Sequence, residues 1–210
     1  ADPYIKIKLD ADRIAEEYLD QVMGYVDSAE DRFSAAVRVA VIGNIMDFGV
    51  SLSSPEEFRA VFKKLLDQWI GSDDTARMKE LLTDSKSVLY FFDNCGESQF
   101  DKLLIREIQR MGVRVVGVVR GERILNDVTM EDAERIGLDK ILDRTVSTGT
   151  FAVGAVLSKA KDDLKEELDR ADMMICKGMA NYESLSDQDA GMPKVFILRT
   201  KCGPVARIRQ

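Results

Sequence analysis

Apolar residues recur at helical spacing from Asp10 to Ala29, with Ile14, Tyr18, Val22 and Tyr25 on one face. Ser34 to Ile45 (SAAVRVAVIGNI) is small or apolar almost throughout, Arg38 being the main exception, and this predicts a buried helix. It runs into Gly43-Asn44-Ile45-Met46-Asp47-Phe48-Gly49, where Asn44 and Asp47 are polar positions in an apolar frame: a capped helix end or a ligand-facing loop. Ser54-Pro55-Glu56-Glu57 starts a further helix, with Ser54 as N-cap, Pro55 in the first turn and Glu57 closing a capping box. Its stripe of Phe58, Val61, Phe62, Leu65, Leu66, Trp69 and Ile70 stops at Gly71, and a short helix follows from Asp74 to Leu82.

From Ser87 the pattern changes. An apolar strand ends at Asp93-Asn94. A helix from Gly96-Glu97 with the face Phe100, Leu103, Leu104, Ile108 and Met111 closes at Gly112, and Val113 to Val119 is rich in β-branched residues. The connection is long enough for a right-handed parallel crossover. Thr129 with Asp132 caps a short helix ending near Gly137. A helix from Ser158 to Ala171 leads to the strand Met173 to Cys176, Asn181 and Glu183 open another short helix, and Val195 to Leu198 is the last strand. The expected architecture is a three-layer α/β/α fold with a mostly parallel central sheet: a helical subdomain over residues 1–84 packs on an α/β core over 85–210. The strand regions are followed by Asp93-Asn94, Asn126-Asp127, Lys177-Gly178 and Lys201. Open α/β sheets bind ligands beyond the carboxyl ends of their strands.

Charge and composition narrow the chemistry. Among 210 residues, 30 Lys and Arg stand against 37 Asp and Glu, a net charge of -7, which argues against general nucleic-acid binding or a basic membrane patch. No apolar run approaches the ~20 residues of a membrane span, and no signal peptide precedes the first helix, so a cytoplasmic location is the default. The three cysteines, Cys95, Cys176 and Cys202, are far apart and odd in number, as in a reducing compartment. The chain opens with Ala1, which a fragment or a processed form would explain. Histidine is absent, which excludes Ser-His-Asp and Cys-His catalysis, HExxH zinc sites and phosphohistidine chemistry.

Asp93, Asn94 and Asp127 lie past the ends of one β-α-β unit, and three side-chain oxygens converging there would suit a hard divalent cation. Mg²⁺ or Mn²⁺ fits two carboxylates and an amide, and Co²⁺ or Ni²⁺ would be tolerated. Such an ion would polarise a phosphate, with Lys177 supplying a second positive charge and Gly178 allowing close backbone approach. The spacing fits equally well a set of turn and helix-cap residues. A GxxxxGK[ST] loop is absent, no GxGxxG follows a strand, and the second acidic position of the haloacid-dehalogenase Asp-x-Asp pair is Cys95 here.

GNIMDFG (43–49), DNCGESQFD (93–101), LNDVTMED (125–132), KGMANYE (177–183) and KCGPVA (201–206) resemble, in order and approximate spacing, the metal-dependent damage-control phosphatases, whose relatives include acidic-residue methyltransferase-like proteins. The resemblance implies a three-layer α/β phosphatase fold with a helical subdomain, residues 85–210 forming the metal-binding phosphatase core. It implies a divalent ion on Asp93, Asn94 and Asp127 and hydrolysis of sugar phosphates or damaged phosphometabolites. Asp93 then serves as ligand or transient nucleophile and Lys177 stabilises the developing charge. Asn44, Asp47, Glu97, Asn126, Gly178 and Asn181 form the candidate substrate-facing set. The family's prokaryotic branch carries a further N-terminal helical segment with a cysteine pair; this chain begins just after it, at Asp2-Pro3-Tyr4, which leaves substrate access and homo-oligomer formation open. The expected partner is a small phosphorylated metabolite. A carboxyl methyltransferase using S-adenosylmethionine is the competing enzyme class, weakened by the missing Gly-rich loop, and a non-catalytic metal- or metabolite-binding module is the third reading.

Overall fold

The computed structural model describes residues 2–45, 55–67 and 72–199. Five parallel strands, β1 (Ser87–Phe91), β2 (Arg114–Val119), β3 (Arg144–Ser147), β4 (Met173–Lys177) and β5 (Lys194–Ile197), form one sheet in the order β3-β2-β1-β4-β5. Strand residues alternate between two cores, as the two-residue repeat of a strand requires. Val88, Tyr90, Val115, Val119, Met173 and Ile175 face one side. Leu89, Phe91, Val116, Val118, Met174 and Cys176 face the other. With both faces covered, β1 and β4 are buried at every position, and the three-layer α/β/α architecture follows.

On the first face lie α1 (Ile5–Ser28), α2 (Arg32–Ile45), α4 (Thr75–Thr83) and α5 (Glu97–Arg110). Phe100, Leu103, Leu104 and Ile108 form the buried stripe of α5, and α2 packs along it closely enough that a Cβ on Gly43 would stand 3.3 Å from Cβ of Glu97. Truncating Phe100 to Ala would cost about 3–5 kcal/mol. α1 and α2 thus share one hydrophobic core with the sheet. The other face is covered by α7 (Asp162–Leu168) through Leu164 and by α8 (Gly178–Leu185) through Leu185. α3 (Pro55–Asp67) contributes Phe62 to the first core, edge-on to Tyr25. Its Ser54–Glu57 capping box, Trp69 and Gly71 fall outside the described residues or side chains. Among the described residues, no helix is long and apolar enough to cross a membrane.

Several elements differ from the sequence expectation. β3 reads RTVS, with Val146 alone fully buried, so its pattern is too short and polar to signal the edge strand it forms. The helix predicted from Ser158 to Ala171 is divided: Leu157–Lys159 makes a single 3-10 turn, Lys161 is extended, and α7 starts on Asp162 and Asp163, acidic residues favoured at a helix N-terminus. α1 begins five residues before Asp10. α8 starts at Gly178, immediately after β4, rather than near Asn181, so Lys177-Gly178 is a strand-to-helix junction. The expected cap at Thr129 is present in α6 (Met130–Arg135), where the Asp132 carboxylate accepts from the Thr129 N–H and hydroxyl.

Strand order places a topological switch between β1 and β4. β1 connects through α5 to β2 on one side, whereas the chain leaving β3 crosses back to enter β4 on the other. Open α/β sheets bind their ligands at the carboxyl ends of the strands at such a point. Asp93 follows β1 and Gly178 follows β4.

Candidate active site

Beyond β1 the chain enters Asp93-Asn94-Cys95-Gly96 before α5 begins. The second loop, after β2, runs out to Ile124 and Leu125 and returns, with Leu125 in the left-handed region (φ +48°) and the Asp127 N–H donating to the Ile124 carbonyl. The returning segment lies antiparallel to the first loop: Val128 N–H donates to the Asp93 carbonyl (2.9 Å), Cys95 N–H donates to the Asn126 carbonyl (2.8 Å), and Asn94 bridges Asp127. Backbone pairing between two loops therefore brings Asp93, Asn94 and Asp127 together. Asn126 enters this pairing through its carbonyl.

Asp93 is the hub. Asn94 Nδ2 donates to its Oδ2 (3.0 Å), as does Asn44 Nδ2 (3.3 Å), and Arg120 Nη2 lies 3.8 Å from its Oδ1. Gly178 closes against it: at φ +78° a Cβ there would stand 1.8 Å from Asp93 Oδ2. Only glycine tolerates both the conformation and the approach. Burial raises the Asp93 carboxyl well above the ordinary carboxylate range, and Glu97 and Asp127 push it further, against Arg120 and Lys177. Burial also raises Asp127, opposed by Arg120, whose Nε donates to its Oδ2 at 2.5 Å.

Glu97, the first residue of α5, accepts from Asn94 N–H through Oε1 (2.9 Å) and from Asn44 Nδ2 through Oε2 (2.9 Å). Asn44, at the end of α2, also accepts from Arg199 N–H just past β5 (3.1 Å), tying the far side of the sheet to the site. Asn181, fully buried in the first turn of α8, accepts from Arg120 Nη1 (2.8 Å) and donates to the carbonyls of Phe92 and Lys177. Asp47 and Lys201 fall outside the described residues.

Lys177 is fully buried and held by three acceptors: Asp101 Oδ1 at 2.6 Å, the Ala40 carbonyl at 2.9 Å and Glu97 Oε2 at 3.4 Å. Burial alone would lower its ammonium, but Asp101 and Glu97 hold it above its ordinary value. Asp101, which also accepts from the Tyr90 hydroxyl, is raised by burial to about 6. Lys177 is thus the cation of a network of protein acceptors.

Two residues reach this site from helices outside the expected set. Asp12 of α1 accepts from Gly96 N–H through Oδ1 (2.7 Å) and from Arg135 through Oδ2 (2.7 Å). One turn earlier, Lys8 reaches Asp132 Oδ2 at 2.6 Å. The pair, four apart on one helix face, staples the loop after β1 and the start of α6 to α1. Arg120 was equally hidden, because a lone Arg after a strand carries no motif.

Among the described residues, no three His, Cys, Asp or Glu side chains gather as a metal cluster. The expected donor set has two carboxylates and one amide, so its fit to a cation rests on the chemistry of its surroundings. Four buried carboxylates, Asp93, Glu97, Asp101 and Asp127, stand against two buried cations, Arg120 and Lys177, a formal excess of two negative charges when all are ionised, and the raised Asp93, Asp101 and Asp127 carboxyls reflect that crowding. In the adjoining staple Arg135 pairs with Asp12 and Asp132, and Lys8 with Asp132 and Asp2. Buried charge is costly unless paired, and one divalent cation would neutralise the excess. Hard oxygen donors suit Mg²⁺ or Mn²⁺. The residues fit the ion.

Residues 1–210 match the damage-control phosphatase ARMT1-like domain. The chain is 40% identical over 208 residues to a damage-control phosphatase of Archaeoglobus fulgidus, covering 98% of this chain and 71% of that protein. It is 36% identical over 208 residues to the damage-control phosphatase PH1575 of Pyrococcus horikoshii, covering 98% and 70%. A crystal structure of a DUF89 family protein from Pyrococcus horikoshii superposes with a TM-score of 0.89 at 34% identity, covering 99% of this chain and 71% of that one. The chain belongs to the damage-control phosphatase ARMT1-like family.

Proposed function

From that membership, which makes the chain a phosphatase, we propose that it hydrolyses phosphate monoesters of small metabolites with a divalent cation held by Asp93, Asn94 and Asp127. Its substrates in this reading are sugar phosphates or damaged phosphometabolites, in keeping with the name damage-control phosphatase that two relatives carry. The observation that supports this reading is the convergence of Asp93, Asn94 and Asp127 at the β1–β4 switch point, among more buried carboxylates than buried cations.

When bound, the cation would polarise a phosphoryl oxygen and acidify a water. The chain's own residues do the rest. Gly178 and Asn44 fix the Asp93 carboxylate from two sides, which removes rotamers that would otherwise have to be frozen during reaction. Glu97 holds the Asn94 backbone at the first turn of α5. α8 begins at Gly178, against Asp93, and a helix N-terminus favours negative charge beside it. Methyl transfer finds no cradle: the loop after β1 contains one glycine, Gly96, whose N–H is committed to Asp12.

A panel of sugar phosphates and other phosphate monoesters, assayed for released phosphate with Mn²⁺, Mg²⁺, Co²⁺ and Ni²⁺ in turn, tests the reading. Turnover with at least one metal is expected; no phosphate release from any ester with any metal would refute it.

A further inference from the structure

The two buried cations of the site are not equivalent. All three donors of Lys177 meet protein acceptors. Arg120, 2% exposed, is held at two points, by Nε on Asp127 Oδ2 (2.5 Å) and by Nη1 on Asn181 Oδ1 (2.8 Å). Its Nη2 makes no hydrogen bond and lies 3.8 Å from Asp93 Oδ1. Buried donors are nearly always paired, so an idle guanidinium nitrogen calls for a partner that is not protein. Because the guanidinium is planar, the two fixed points set the direction of Nη2 before any ligand arrives. That direction is toward Asp93, whose Oδ1 lies 3.8 Å away.

We propose that Arg120 is a catalytic residue whose Nη2 donates to a phosphoryl oxygen of the ester bound beside Asp93 and Asp127. Arg120, rather than Lys177, then stabilises the charge spreading over that group in the transition state. The inference rests on the phosphomonoesterase reading. In the reaction a water oxygen bonds to phosphorus, the ester P–O bond breaks, and the leaving oxygen takes one proton of that water; alcohol and inorganic phosphate form, and Arg120 neither gains nor loses a proton. A planar fork suits phosphate oxygens better than an ammonium does, and it gives geometric selectivity as well as charge. Lys177 keeps a different task, balancing Asp101 and Glu97 at the base of the site.

The test compares the wild type with Arg120→Lys and Arg120→Met in three measurements: Mn²⁺ affinity by paramagnetic resonance titration, inorganic phosphate affinity by calorimetry at saturating Mn²⁺, and steady-state hydrolysis. The proposal expects Mn²⁺ binding to persist or tighten, since a competing cation is removed from Asp127. It expects phosphate affinity at saturating Mn²⁺ to fall about 10–100-fold and kcat to fall about 10²–10³-fold, with Lys recovering only part. Weaker Mn²⁺ binding with unchanged phosphate affinity would assign Arg120 to orienting Asp127 alone and overturn the proposal. If the variants do not fold, a crystal structure of the wild type with Mn²⁺ and phosphate decides: Nη2 within about 3 Å of a phosphate oxygen supports the inference, and Nη2 without such a contact overturns it. Failure of the wild type to bind Mn²⁺ or turn over any ester would sink the underlying reading as well, an outcome distinct from losses confined to the variants.

Discussion

The α-carbon of Gly178 presses against the carboxylate of Asp93 so closely that a methyl group there would stand 1.8 Å from Oδ2. The contact joins the first residue of α8 to the loop after β1 across the topological switch, and it fixes the rotamer of Asp93. Gly178→Ala must therefore displace Asp93, and kcat/KM is expected to fall at least about 10²-fold, as for misplacement of a reacting group by about 1 Å. Gly191 has a similar backbone (φ +69°) with nothing within 4 Å of an added Cβ. Gly191→Ala should lower the melting temperature through backbone strain but leave kcat/KM unchanged. Equal activity loss in both variants would place the effect in the backbone rather than in Asp93.

Lys177 is buried with Asp101, so its removal acts on the fold as well as on chemistry. Lys177→Met leaves Asp101 and Glu97 short of a counter-charge and should destabilise the protein by about 3–5 kcal/mol, read as a shift of the urea midpoint. Replacing the pair together, with Asp101→Leu added, should recover most of that stability, because an apolar pair of similar volume often substitutes for a buried ion pair. Activity recovered along with stability would show that the Lys177 effect is purely structural.

Asp101 also gives the stability a pH dependence. Its carboxyl is raised from the ordinary 3.8 to about 6, chiefly by burial, so the folded state holds a proton that the unfolded chain has released. That contribution is full below about pH 4 and is lost as pH rises to about 6, a decline of roughly 3 kcal/mol at 1.36 kcal/mol per unit. Carboxylates held low by partners, such as Glu167 between Arg114 and Arg144, run in the opposite sense at lower pH. The difference in unfolding free energy between wild type and Asp101→Asn isolates the first effect. It should fall between pH 4 and 6, and a flat difference would contradict the assignment.

The staple from α1 predicts an effect at a distance from the chemistry. Asp12 holds Gly96, Lys8 holds Asp132, and between them they set the spacing of the two loops that carry Asp93, Asn94 and Asp127. Asp12→Ala or Lys8→Met should weaken Mn²⁺ binding about 10–100-fold, in line with other supports of metal ligands. Unchanged Mn²⁺ affinity in both would confine α1 to core packing.

Much of this was legible in the chain. β1, β2 and β4 are runs of apolar residues buried on both faces, α5 carries a clean stripe, and Thr129 with Asp132 marks a cap; each obeys a local rule. β3 escaped because an edge strand of four residues with one inward Val has no pattern to detect. Asp93, Asn94 and Asp127 were readable as polar residues beyond strands, but the means of bringing them together, antiparallel pairing of two loops, is a tertiary event without a sequence signature. Lys177 illustrates the opposite case. A Lys before a Gly after a strand reads as a phosphate contact, whereas its direction is set by Asp101, Glu97 and the Ala40 carbonyl, contacts 76, 80 and 137 residues away along the chain. Arg120, Lys8 and Asp12 are single charged residues whose importance depends entirely on what they meet.

The central claim is that a divalent cation on Asp93, Asn94 and Asp127 carries the hydrolysis. Its most direct test is Mn²⁺ titration of chelator-stripped protein followed in parallel by calorimetry and by phosphate release from the best ester of the panel, for wild type, Asp93→Asn and Asp127→Asn. The account predicts one Mn²⁺ per chain in the wild type, activity rising from zero along the binding curve, and loss of both binding and activity in each variant while circular dichroism remains that of the folded protein. Full activity in stripped wild-type protein, or unaltered Mn²⁺ binding and turnover in both variants, would contradict it.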